Sequence, residues 1–162
     1  MKLKKELAVF MFGLLMGGSS ICYSQSLAQA SKLGEFLDKN IAELNRVHMN
    51  LMQMDDPVTS TEPYLSNVTT QIGEVIEVIV RVSEYSTIYS LMVDKKDQSI
   101  VKKFLSLRAK VSIDISTFYL DRINKSLIRF KSPAAVSEVQ AARDLILNMK
   151  AEITRVVPVN LN

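Results

Sequence analysis

The segment His48-Met49-Asn50-Leu51-Met52-Gln53-Met54 joins the only histidine of a 162-residue chain to three of its eight methionines. Thioether sulfur stays unprotonated and favours soft Cu(I), and imidazole suits copper as well. On a helix, His48 and Met52 lie one turn apart on one face with Met49 next to them, while Met54 points elsewhere. His48, Met49 and Met52 are therefore the candidate metal ligands, and copper is the metal that their chemistry selects. The plainer use of the same methionines is to fill gaps at the end of a buried helix, since the side chain is flexible and polarisable.

Other chemistry finds little support. Any mechanism that needs an imidazole must use His48, and no serine stands in a Gly-x-Ser-x-Gly turn. There is no Gly-rich phosphate loop and no His-Glu-x-x-His. Covalent haem attachment would need Cys-x-x-Cys-His, which the chain lacks; a noncovalent site could only pair His48 with Met149 across a bundle. Asp55-Asp56 stand before Pro57 and read as a helix stop. Asp114 and Asp121 flank Phe118 on one helical face and read as solvated edge charges rather than an acid/base pair. Asn67-Val68-Thr69 and Asn124-Lys125-Ser126 match the glycosylation pattern, yet both fall inside predicted helices. The expectation is a protein that is not an enzyme and carries no cofactor, with copper as the alternative.

The elements that would position these residues follow a leader. Lys2, Lys4 and Lys5 precede an apolar run from Leu7 to Met16, and small residues recur from Gly17 to Ala28-Gln29-Ala30. That order describes a secretory signal peptide, residues 1–30, with cleavage after Ala30 and Ala28 or Ser24 as fallbacks. The apolar run falls short of the roughly 20 residues that a spanning helix needs, so no stable span is expected after cleavage. Ile21 stands before Cys22 where lipid attachment would want a small residue. The lone cysteine leaves with the leader, and a domain of residues 31–162 must hold together by its core alone. The expected location is the bacterial periplasm or outside the cell, a compartment that argues against nucleic acid as a partner.

In that domain Gly34 and Gly73 are the only glycines, and Pro57, Pro63, Pro133 and Pro158 divide the chain. The first stretch, Ser31 to Met54, carries Leu37, Ile41, Leu44, His48 and Leu51 at helical spacing. The second, Pro63 to Val93, carries Leu65, Val68, Ile72, Val75, Ile79, Val82, Ser86, Tyr89 and Val93, with Thr61 as its cap and Ser83 off the main stripe. Its segment Val75 to Val82 is rich in strand formers, but the three-four spacing continues on both sides and predicts helix. A third stripe runs Ile100, Phe104, Leu107, Val111, Ile115, Phe118, Ile123, Leu127 and Phe130 after the polar break at 94–97. Ser132 caps a fourth helix opened by Pro133, with Ala135, Val139, Ala142, Ile146, Met149, Ile153 and Val156 in its stripe. Short polar links between amphipathic helices predict an all-α, antiparallel four-helix bundle in up-down-up-down order.

Charge separates along the chain. Ser31 to Asp94 holds four basic and ten acidic residues, net −6, and Lys95 to Asn162 holds thirteen basic and six acidic, net +7. The halves could neutralise each other across the seam, or present a surface that steers a partner. Lys102, Lys103, Lys110 and Arg122 fall largely between the stripe positions of the third helix and are the candidate partner-binding residues. The functional expectation is protein–protein binding to another envelope or secreted protein, of an accessory, chaperone-like or inhibitor/immunity type; the alternative is a periplasmic small-ligand or copper carrier that uses His48, Met49 and Met52.

Overall fold

A computed structural model describes residues 2–55, 62 and 64–157, with side chains from Ser26 onward. The described residues form four helices and no strand, as a helical bundle does: α1 (Lys2–Met54), α2 (Leu65–Leu91), α3 (Lys95–Leu127) and α4 (Pro133–Val156). α1 packs on α2 and α4, and α3 closes the other side against the same two helices. Among the described residues, no helix is long and apolar enough to cross a membrane.

The helix ends follow local chemistry. The Asp94 carboxylate accepts from Lys96 N at 2.7 Å and Asp97 N at 3.2 Å, so the polar break at 94–97 is itself the start of α3. Ser132 accepts from Ala135 N at 3.4 Å and Pro133 opens α4, as its sequence predicts. Tyr64 stands at the N-cap of α2 without a side-chain cap, and the expected cap Thr61 lies outside the described residues. Glu62, a loop residue by sequence, is buried and takes a structural part. Its Oε1 accepts from Lys131 N at 2.8 Å and from Ser132 N, tying the α1–α2 connection to the turn before α4.

The stripes of α2 and α4 are buried as their spacing predicts, including the strand-like run through Val75, Ile79 and Val82, except that Val93 lies beyond the end of α2 and is exposed and Val156 is half-buried. On α1 the buried line is Leu33, Leu37, Ile41, Leu44, Val47 and Leu51; His48 is half-buried, one residue off the stripe. The core also continues upstream through Ala30, with Leu27 packed against it.

Two further expectations are corrected. Ser83 is not off the core but buried, and its Oγ donates to the Asp38 carboxylate with the Gly34 carbonyl 3.3 Å away. On α3 the helix is right and the face is wrong. The side turned to the core carries Gln98, Leu105, Ala109, Ser112, Ser116, Leu120 and Ile123. The predicted stripe from Ile100 to Phe118 lies on the other side. Small residues at 109, 112 and 116 let α3 sit close to its neighbours, and that contact outweighs the larger apolar side chains.

Candidate protein-binding face

Ile100, Phe104, Leu107 and Phe118 each keep 46–54% of their surface exposed, and Val111 and Ile115 beside them are half-buried. Ile100, Leu107, Val111 and Phe118 are spaced seven, four and seven residues apart, which places them in one row along the helix. Lys103, Lys110, Asp114 and Asp121 repeat the same spacing three residues on, and form a second, exposed row along its edge. A contiguous apolar row of this kind, rimmed by charge, is the candidate contact surface of the described residues.

Aromatic and cationic contacts hold the row's other edge. Tyr85 of α2 stacks on Phe104 with centroids 6.0 Å apart, and the Arg108 guanidinium lies 6.0 Å from the Tyr85 ring. Arg122 sits over the Phe118 ring at 4.4 Å, and Tyr119 meets Phe118 edge-on at 5.1 Å. The Tyr119 hydroxyl donates to the Glu74 carboxylate of α2, and that hydrogen bond lifts the phenol above its ordinary pKa. These contacts set Phe104 beside Tyr85 and hold the Phe118 ring between Arg122 and Tyr119.

Of the four basic residues singled out by sequence, Lys103, Lys110 and Arg122 share this outer side. Lys102 does not. It lines a cavity of about 150 Å³ at the end of the bundle with Ser26, Ala30, Tyr89 and Leu105. What the sequence missed is that the apolar residues themselves are on the surface; the signal was present as buried-face serines that no stripe of large residues accounts for.

The methionine cluster is arranged differently. His48 Nε2 lies 3.0 Å from the Thr69 carbonyl, which can only accept, so Nε2 carries the proton and Nδ1 is the remaining ligand atom. The ring packs over Gly73 of α2. Met49 and Met52 are half-exposed, and Met149 is fully buried on α4. Among the described residues no three His, Cys, Asp or Glu side chains converge on a common point that could hold a metal ion. Asp55 is half-buried at the end of α1, and Asp114 and Asp121 are exposed, Asp121 pairing with Lys125 at 2.6 Å.

No known protein family, curated protein or solved structure matches the chain.

Proposed function

We propose that this is a non-enzymatic protein of the bacterial envelope that works by binding protein through the outer side of α3. The observation that carries the reading is the half-exposed row Ile100, Phe104, Leu107 and Phe118, edged by Lys103, Lys110 and Arg122. Buried aromatics supply most of the affinity in protein interfaces, and the cations at the rim set on-rate and orientation. The role is that of an accessory, chaperone-like or inhibitor protein. Replacing Phe104 and Phe118 together by Asp tests it: the double variant keeps its helicity and loses association with its envelope partner. Undiminished association would refute the reading.

The bundle connects up-down-up-down in this account. Ala30 beside Ser86, and His48 beside Thr69, support α1 and α2 running in opposite directions. Tyr85 against Phe104 and Glu74 against Tyr119 support the same for α2 and α3.

Export brings the chain to the envelope, and the packing bears on where the leader is removed. Ser86 Oγ donates to the Ala30 carbonyl at 2.7 Å, Ser26 Oγ lies 3.4 Å from the Tyr89 hydroxyl, and Leu27 packs on the core. Cleavage after Ala30 would discard all three contacts, whereas cleavage after Ser24 keeps them. Cys22-Tyr23-Ser24 also has small residues at the two positions that the peptidase reads. Intact mass of protein from the extracytoplasmic fraction is expected to give Gln25 as the first residue; a chain beginning at Ser31 contradicts this.

Copper carriage by His48, Met49 and Met52 is the second reading. One observation favours it: a backbone carbonyl fixes the imidazole through one nitrogen, as outer partners do for metal-bound histidines. Titration with Cu(I) against a competing chelator decides it, since a Met49→Leu, Met52→Leu variant should lose affinity that the parent shows.

A further inference from the structure

We infer that the outer side of α3 closes on a second copy of the same chain, as an antiparallel pair of helices about a two-fold axis. The inference rests on the reading of α3 as a binding face and names the partner of that face.

Between Phe104 and Phe118 the apolar row is self-complementary on reversal, and so is the charged row beside it. Phe104 and Phe118 stand seven residues either side of Val111, and Leu107 and Ile115 stand four residues either side of it. In an antiparallel pair centred near Val111, Phe104 is level with Phe118 of the second copy, Leu107 with Ile115, and Val111 with itself. The charged row shows the same relation with the signs opposed. Lys103 and Asp121 stand nine residues either side of position 112, and Lys110 and Asp114 stand two. The apolar and charged centres differ by one residue, about 1.5 Å along the helix.

A two-fold axis between antiparallel helices brings each edge against the same edge of the other copy, as isologous contacts require. Lys103 then meets Asp121 of the second chain and Lys110 meets its Asp114, and the symmetry makes each contact occur twice. A parallel pair would instead set this charged edge against the other edge of the row, where Arg108 and Arg122 lie, and would leave Lys103 and Lys110 facing cations rather than carboxylates. All four residues are exposed in the single chain. The Asp121–Lys125 pair is a surface contact at 63–70% side-chain exposure, and solvent already screens most of its worth.

The charge pattern yields a test with paired variants of the full chain, read by sedimentation equilibrium with helicity followed by circular dichroism. The parent is expected at the mass of two chains. Lys103→Asp with Lys110→Asp makes the edge wholly acidic, and Asp114→Lys with Asp121→Lys makes it wholly basic; each variant alone is expected as a helical monomer. Mixed in equal amounts, they regain all four opposed contacts and are expected to form a one-to-one dimer. A parent that stays monomeric at its solubility limit, a series of species beyond the dimer, or a mixture that remains monomeric each overturns the inference. If the parent is monomeric and Phe104→Asp with Phe118→Asp still abolishes capture of an envelope protein, only the identity of the partner is wrong. If neither the charge pairs nor the two phenylalanines affect any association, the reading of the face falls with it.

Discussion

The two sides of α2 meet serines in opposite circumstances. Towards α1, Ser83 and Ser86 are buried and bonded across the seam, to Asp38 and to the Ala30 carbonyl, and Gly34 brings the helices together. Towards the core, α3 offers Ser112 and Ser116, equally buried, whose hydroxyls find no hydrogen-bond partner among the described residues. The first seam is specified by polar contacts that only one register satisfies. The second is specified mainly by size. α3 thus spends its large apolar residues on the outside, and its inner face tolerates small polar ones. A helix selected only for internal stability would be patterned the other way round.

That contrast can be broken experimentally, and the largest effect lies at Ser83. Ser83→Asp sets a second carboxylate against Asp38 in a buried site and should cost as much as Ile79→Asp, about 3–5 kcal/mol in denaturant unfolding. Tolerance of the first but not the second would move Ser83 back to the surface. Next come the glycines. A Cβ on Gly34 would stand 2.8 Å from Thr87 Oγ1, so Gly34→Ala is expected to destabilise by about 1–3 kcal/mol even though alanine is the better helix former. Gly73 meets only the His48 ring, at 3.4 Å, and Gly73→Ala should be neutral or gain up to about 1 kcal/mol. Equal losses at both would mean that α1 and α2 are spaced evenly along their length. The serines themselves give the smallest and sharpest contrast. Ser86→Ala removes a satisfied cross-seam bond and should cost about 1 kcal/mol, whereas Ser112→Ala and Ser116→Ala should be neutral or stabilising by a similar amount.

The same contrast explains what could be read from the sequence. Helix positions, the Ser132–Pro133 start of α4 and the buried lines of α2 and α4 were all legible, because there the largest apolar residues and the core side coincide. Ser83 was not, since its partners lie on α1, 45 and 49 residues away, and spacing along one helix carries no trace of them. Glu62 was missed for the same reason: the N–H groups that it accepts from belong to Lys131 and Ser132. His48 took a place that belongs to Val47, because one residue is only a small rotation on a helix. On α3 apolarity identified the right residues and assigned them to the wrong side. The candidate site was therefore legible as a set of residues before it was legible as a surface: Lys103, Lys110 and Arg122 were picked out as lying between core positions, when those positions were the face itself.

The central claim is that this outer side of α3 contacts protein in the native envelope. A photo-activated cross-linking residue in place of Leu107 tests it most directly, with the same residue in place of Leu147 on α4 as the control. Both positions are large, apolar and about half-exposed, at 54% and 44%, so they differ in location far more than in accessibility. The account predicts a discrete protein adduct from position 107 on irradiation of intact cells and none from position 147. Adducts of equal yield from both positions, or none from position 107, would contradict it.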